Sequence, residues 1–412
     1  MKNSGVEWIG EIPDDWKTVK FKYLHSGTNV GESIDKDFCS EDKEGFVFYT
    51  AGLEPIYTNF TDFPIWKYTK KNDLLLARNG TPYVYFPSQN AVYSDHIIRV
   101  SIKNNYSKSF VKYAIEQSIS TTVVDTVSIA TWSASLWNAQ NLPLPPKETQ
   151  QKIASYLDSK CSKIEETIQN QQQVIEKLKA YKQSLITEAV TGKIKIQNGK
   201  TCGKYEEYKD SGVEWIGKIP SGWDVGKFRR FATVKSNLVD PNLYLDYPQI
   251  APDNIEKSSG RLINYQSVRD SGVISWNHLF FKGQIVYSKI RPTLNKLIIA
   301  PFDGLCSADM YPIETELDKH FFVYMMLSLY FVEQVGLITR DRVKMPKINQ
   351  NELSGILITV PSNEEQKNIA EYLDKKCLAI DNAIEQKQKI IEKLTEYTKS
   401  LIYECVTGKK DV

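Results

Sequence analysis

The sequence predicts an α+β protein in which two mixed α/β domains in tandem repeat are joined by two long helices, paired as an antiparallel coiled coil with pseudo-twofold symmetry. Three observations predict this arrangement. First, Ser4-Gly5-Val6-Glu7-Trp8-Ile9-Gly10-Glu11-Ile12-Pro13 returns as Ser211-Gly212-Val213-Glu214-Trp215-Ile216-Gly217-Lys218-Ile219-Pro220, an offset of 207, and Trp16 returns as Trp223. Second, the stretch from Gln150 to Lys193 returns from Gln366 to Lys409 at an offset of 216, sharing Tyr156-Leu157-Asp158 with Tyr372-Leu373-Asp374 and Val190-Thr191-Gly192-Lys193 with Val406-Thr407-Gly408-Lys409. Third, both of these later stretches carry an apolar heptad.

Matched ends therefore frame two dissimilar middles. The expected order is a first domain (1–147), a first spacer helix (148–195), a linker (196–210), a second domain (211–362) and a second spacer helix (363–412). In the opening turns, Trp8, Trp16, Trp215 and Trp223 are expected as core anchors, because large aromatic side chains dominate core burial. Each middle holds a strand-like run ending in a basic residue, Leu74-Leu75-Leu76-Ala77-Arg78 or Ile285-Val286-Tyr287-Ser288-Lys289. Further strands are expected near 97–100 and 297–299, and helices near 110–118 and 321–331, making the middles distant copies of one fold.

The spacer helices follow from period. Leu157, Cys161, Ile164, Ile168, Gln171, Ile175, Leu178, Lys182 and Leu185 alternate steps of four and three, as do Leu373, Cys377, Ile380, Ile384, Lys387, Ile391, Leu394, Thr398 and Leu401. Each helix would run roughly 40 residues, or about 60 Å. Such a stripe is too long for a small domain to bury, so the two helices are expected to pack on each other. Antiparallel pairing centred on Gln171 and Lys387 sets Leu157 against Leu401, Ile164 against Leu394, Ile168 against Ile391, Ile175 against Ile384, Leu178 against Ile380 and Leu185 against Leu373. Lys182 and Thr398 would then face Cys377 and Cys161 as polar layers that fix register. Ser362 with Glu365 forms a capping-box pattern, and Gly192 and Gly408 are expected helix stops.

Composition narrows the function classes. The 412 residues, 41% hydrophobic and 25% charged, suit a globular chain of two domains, and a net charge of +2 neither demands nor excludes a polyanionic partner. Six scattered cysteines without metal spacing read as reduced thiols, as in a cytoplasm. The first ten residues lack a signal-peptide pattern, and the longest apolar stretch, 321–332, is too short to span a bilayer and reads as a buried helix. No membrane role is expected.

Catalytic signatures are missing. Gly199-Lys200-Thr201 lacks the upstream glycine a phosphate loop needs, and neither a methyl-donor glycine loop nor the Asn/Asp-Pro-Pro-aromatic element of amino-methyltransferases occurs. Glu365-Gln366-Lys367 has nuclease-like spacing but opens a heptad helix, and His25, His96, His278 and His320 sit far apart, which reads as structural or surface use. Binding signals are better. Lys282 to Lys296 carries Lys289, Arg291, Asn295 and Lys296 with no acidic residue, and Arg340, Arg342, Lys344 and Lys347 gather before the second long helix. Lys67, Lys70, Lys71, Arg78 and Asn79 with Tyr83 and Tyr85 form a counterpart in the first half. Arg and Asn contact base edges bidentately, whereas Lys more often positions on phosphate.

The opening turn and its copy, the run Ile285 to Pro292, and Lys347-Ile348-Asn349 followed by Pro361 and Glu365-Gln366-Lys367 together resemble type I restriction-modification specificity subunits, over essentially the whole chain. The first half departs from the pattern, with Leu76-Ala77-Arg78-Asn79-Gly80-Thr81 in place of the Lys-x-Arg-Pro loop. The resemblance implies two target recognition domains, each reading half of a bipartite asymmetric site in double-stranded DNA, with the helices setting their separation. It implies no catalysis in this chain. Two methyltransferase subunits using S-adenosylmethionine, and restriction or motor subunits using ATP and Mg, would be its partners. The alternatives are a coiled-coil scaffold or regulator and a self-sufficient DNA-modifying enzyme.

Overall fold

The computed structural model describes residues 1–40, 44–79, 82–120, 131–214, 216–342 and 344–412, so Gly80, Thr81 and Trp215 lie outside the described residues. The chain forms two compact units. One comprises residues 1–171 and 389–412, the other residues 172–388, and both division points fall inside the long helices Lys147–Val190 and Asn363–Val406.

In the first unit, a four-stranded antiparallel sheet runs in the order His25–Val30, Ile97–Ile102, Asp73–Ala77, Val84–Tyr85. In the second, the order is Ala232–Val234, Met310–Thr315, Ile285–Ser288, Leu297–Ile299. Numbered along the chain, both sheets read first, fourth, second, third, so the middles are copies of one fold. A smaller sheet accompanies each: Val92–Tyr93, Phe46–Tyr49, Ile56–Thr58 and Cys39–Ser40, or Leu238–Val239, Asn277–Phe280, Gly304–Cys306, Pro248–Ile250 and Gln266–Ser267.

Two expectations about the middles change. Leu297–Ile299 is the counterpart of Val84–Tyr85; the counterpart of Ile97–Ile102 is Met310–Thr315, an inner strand in spite of Pro312, a residue that sequence patterns place at sheet edges. The expected helix near 321–331 is two helices, Lys319–Leu327 and Leu329–Thr339, meeting at 56°. Ser328 breaks them: its backbone is extended and its hydroxyl donates to Met325 O at 2.6 Å, while Leu329 N donates to Thr187 Oγ1 at 3.0 Å. Phe321, Phe322, Met325, Met326, Tyr330 and Phe331 are buried in the core of this unit. Among the described residues no single helix is long and apolar enough to cross a membrane.

Of the expected anchors in the opening turns, Trp16 and Trp223 are buried. Ile9, Ile12 and Trp16 are buried in one unit and Ile216, Ile219 and Trp223 in the other; Trp8 is half-buried and donates from Nε1 to Asn141 O at 3.1 Å. Short antiparallel pairs, Lys17–Lys20 with Asn141–Leu144 and Asp224–Lys227 with Leu357–Val360, tie the start of each middle to the strand before its long helix. The stretch read as a linker carries a two-stranded hairpin, Ile196–Gln197 with Lys200–Thr201, and the strand Tyr208–Asp210.

The heptad pattern survives residue by residue. Between 161 and 182 the positions that escape full exposure are 161, 164, 168, 171, 175, 178 and 182, and between 377 and 398 only Asp381 and Ala383 join the expected set. In the first unit Leu157, Cys161 and Ile164 share a core with Leu401, Ile402 and Cys405; in the second, Leu178 and Leu185 share one with Leu373, Cys377, Ile380 and Ile384. The start of one helix therefore packs with the end of the other in each unit, which is antiparallel pairing. Full burial of each such leucine or isoleucine contributes about 1.5–3 kcal/mol.

Both helices end as expected. Gly192 and Gly408 adopt φ of +72° and +73°, and Lys193 N donates to Glu188 O at 2.9 Å as Lys409 N does to Glu404 O at 2.8 Å. A Cβ on Gly192 would lie 2.3 Å from Pro220 Cδ, and one on Gly408 would lie 2.5 Å from Pro13 Cδ. Each helix thus stops against the Pro-x-x-Trp step of an opening turn in its own unit.

Candidate nucleic-acid interface

In the second unit, the strand Ile285–Ser288 is fully buried and releases Lys289, Ile290 and Arg291 at its end. This exit is pinned to a distant segment: Arg291 N donates to Pro346 O at 2.7 Å, Ile348 N donates to Lys289 O at 2.9 Å, and Ile290 bridges Lys347. The next residue, Asn349, caps the helix Gln350–Gly355 in a capping box with Glu352, and Leu353 anchors that helix in the core. Two basic segments far apart in sequence therefore become one surface. Arg291 and Lys344 are exposed; Arg340 is exposed with its Nε 3.8 Å from Asp341 Oδ1; Lys289 places its ammonium 5.3 Å over the Tyr311 ring.

The loop is strained where it turns. Arg291 and Asn295 flank the short helix Pro292–Leu294 with φ of +42° and +47°, a left-handed geometry costing about 1–3 kcal/mol at each non-glycine residue. Three of the expected contact residues are committed to holding the surface together. Asn295, expected at the surface, is 1% exposed and donates from Nδ2 to Met326 O at 2.9 Å. Lys296 Nζ donates to Pro252 O at 2.8 Å and lies 3.5 Å from Asp253 Oδ1. Arg342 forks onto both Glu352 oxygens and also donates to Lys347 O; these hydrogen bonds hold the Glu352 carboxyl below the usual glutamate range. In each case the side chain's donor atoms are taken up by partners from other segments, which the sequence does not bring together.

The first unit repeats the arrangement. Arg78 and Asn79 leave the buried strand Asp73–Ala77, Trp132 N donates to Arg78 O at 2.7 Å, and Asn79 bridges Thr131. The following helix, Ala134–Ala139, is capped by Ser133 and anchored by buried Trp137, whose Nε1 donates to Ala77 O at 3.2 Å. Tyr83 sits beside this exit, since Ala77 N donates to Tyr83 O at 2.8 Å, and its half-buried ring packs 6.2 Å from that of Tyr85. Lys70 and Lys71 are exposed but precede the five-residue strand, so about 16 Å of strand separates them from Arg78. Lys67 pairs with Glu32 at 3.0 Å.

Sequence reading gave His96 only a structural or surface use and did not single out Asp309; the fold brings both to these exits. Asn79 Nδ2 lies 2.7 Å from His96 Nδ1, and Lys347 Nζ lies 3.1 Å from Asp309 Oδ1. Separations of 17 and 38 residues left no local signal. The nuclease-like Glu365 is occupied: its oxygens accept from Trp223 Nε1 at 3.0 Å, Tyr205 at 3.1 Å and the Ser362 hydroxyl at 2.8 Å. Burial alone would raise its pKa, but these hydrogen bonds outweigh burial and leave it lowered. His25 is buried between Asn138 and Gly27 O, with desolvation lowering its pKa, and His320 lies 3.2 Å from Asp374 on the surface.

Comparison with known proteins gives a consistent picture. The family model described as the type I restriction modification DNA specificity domain matches twice, over residues 13–180 and 221–396. The chain is 29% identical to the type I restriction enzyme EcoDI specificity subunit of Escherichia coli, over 97% of this chain and 90% of that protein. It is 24% identical to the type I restriction enzyme MjaVIII specificity subunit of Methanocaldococcus jannaschii, over 97% and 93%. A chain in a solved structure of the type I R-M system superposes with a TM-score of 0.68 at 12% identity, covering 97% of this chain and 100% of that one, and so shares the fold.

Proposed function

The chain belongs to the family of type I restriction-modification DNA specificity subunits, and on that premise we propose that each of its two domains reads one half of a bipartite, asymmetric duplex site while the paired helices set the gap between the halves. The observation that carries this reading is the pinned strand exit, which recurs in both units: a buried strand delivers Arg78 and Asn79, or Lys289 and Arg291, against a second segment that fixes their direction. Rigid presentation suits base reading, because a base edge rewards a side chain only in register with it.

Arg78, Asn79, Tyr83, Lys289 and Arg291 are the contacts to bases or adjacent phosphates in this reading, with Lys70, Lys71, Arg340 and Lys344 positioning on phosphate. Arg342, Asn295 and Lys296 hold the surface in shape. Two readers working on one face of a duplex would engage half-sites about one helical turn apart, roughly 34 Å.

The chain carries no catalytic role in this proposal. Methyl transfer from S-adenosylmethionine and ATP- and Mg-dependent translocation and cleavage belong to partners, two methyltransferase subunits docking beside the helices and restriction subunits joining them. The test is to map methylated adenines genome-wide in cells with and without this gene. One bipartite motif should lose modification on deletion, and the purified chain alone should methylate no DNA. An unchanged methylome, or robust methyl transfer by the chain alone, overturns the proposal.

A further inference from the structure

The residues before the long inner strands form the same turn in both units. Ile97 N donates to Ser94 O and Met310 N donates to Ser307 O, both at 2.9 Å. His96 N donates to Ser94 Oγ at 3.3 Å, and Asp309 N donates to Ser307 Oγ at 3.2 Å. The basic exits then dock on it alike: Arg78 N donates to His96 O at 2.8 Å and Lys289 N to Asp309 O at 3.0 Å. One backbone frame thus holds two chemically different side chains at one place, a histidine in one unit and an aspartate in the other.

Resting on the reading of the two domains as DNA readers, we propose that this position, His96 in the first domain and Asp309 in the second, is a specificity-determining contact to a base edge. Both side chains reach solvent, His96 being 53% and Asp309 37% exposed. Both are oriented by a neighbour from another segment. Asn79 donates to His96 Nδ1, which places the ring proton on Nε2, so His96 presents a donor. Asp95 Oδ1 is 4.0 Å from that nitrogen, outside hydrogen-bond range. His96 also lines a cleft of about 520 Å³ with Ser40, Thr50, Ser94 and Asp95, which leaves room beside the imidazole.

The chemistry at the two positions is opposite in sense. A donor at His96 suits a purine N7 or the guanine O6 in the major groove; a carboxylate at Asp309 only accepts, and suits the exocyclic amino group of cytosine or adenine. An acidic group amid Lys289, Arg291 and Lys347 is repelled by phosphate, so a backbone contact does not account for it. Lys347 Nζ, 3.1 Å from Oδ1, offsets its charge. A fixed frame with an exchangeable side chain is what two domains of one fold need to read different sequences.

The test is methylome mapping in cells that retain the partner subunits and carry the chain as wild type, His96→Ala, His96→Gln, Asp309→Ala or Asp309→Asn. Wild type must first yield a bipartite motif that deletion removes; without it the reading as a DNA reader fails, independently of this position. Given that motif, each variant should relax one base pair of one half-site, with discrimination there falling on the order of ten-fold. The His96 and Asp309 variants should affect opposite halves, with the gap unchanged. A motif identical in all variants, relaxation spread over both halves, or uniform loss of modification in the isosteric Asp309→Asn and the amide-bearing His96→Gln chains overturns the proposal.

Discussion

Lys182 Nζ lies 2.8 Å from both carboxylate oxygens of Asp381, an ion pair in the helix seam of the second unit with the lysine 13% and the aspartate 22% exposed. The expected polar layer set Lys182 against Cys377, and the ammonium does lie near enough to oppose the rise that burial gives the Cys377 pKa; its ion pair is with the carboxylate one turn farther along. At the repeat-related positions the first unit has Thr398 and Glu165, and Thr398 donates to Leu394 O within its own helix at 2.9 Å. Asp381→Ala leaves a part-buried ammonium without its carboxylate and should destabilise the chain by about 2 kcal/mol in urea denaturation. Lys182→Met with Asp381→Leu should recover most of that loss. Equal loss in the single and double variants would contradict the assignment.

Gly192 and Gly408 are constrained twice, by positive φ and by the proline rings their Cβ atoms would enter. Alanine at either position should cost roughly 2–4 kcal/mol, from left-handed strain plus overpacking. Gly222, with nothing near its Cβ position, serves as the control. Thermal unfolding checks the order: both cap variants well below Gly222→Ala.

Glu365 links the second long helix to Trp223 and Tyr205, and its carboxyl pKa is depressed by hydrogen bonds that outweigh burial. A folded pKa below the unfolded value stabilises the chain above the ordinary glutamate pKa of about 4.3, and that stability is lost as pH falls through the folded value. Glu365→Gln should therefore lower stability at pH 7 and flatten the acid limb in denaturation midpoints taken from pH 7 down to pH 3. Parallel wild-type and variant curves would exclude the linkage.

On DNA, Arg291 and Lys344 should separate in kind. Lys344→Ala should weaken binding by the assembled complex evenly across sequences and lessen the salt slope by about one. Arg291→Ala should also relax discrimination in one half-site. Binding isotherms over a salt series on matched and mismatched duplexes distinguish the two behaviours.

Much of this architecture was legible because repeats and heptads are local signals with a fixed period. The seam positions from Cys161 to Lys182, the caps at Gly192, Gly408 and Ser362, and the buried opening turns all follow from spacing. Tertiary packing decided the rest. Ser328 breaks an apolar run that reads as one helix, because Thr187 supplies a partner for Leu329 N from another helix. Met310–Thr315 is an inner strand despite Pro312. Within the candidate surface, sequence charge identified Arg291 but not the commitments of Arg342 to Glu352 or Asn295 to Met326, which arise only when the loop closes. Asp309 was invisible for the converse reason: an acidic residue in a basic surface carries no composition signal.

The central claim, that each domain reads its own half-site independently, is tested most directly by replacing residues 221–346 with the matching segment of a relative that modifies a different sequence, then mapping the methylome. The account predicts a hybrid motif with one half rewritten and the other half and the gap retained. A motif altered in both halves, or in neither, would contradict it.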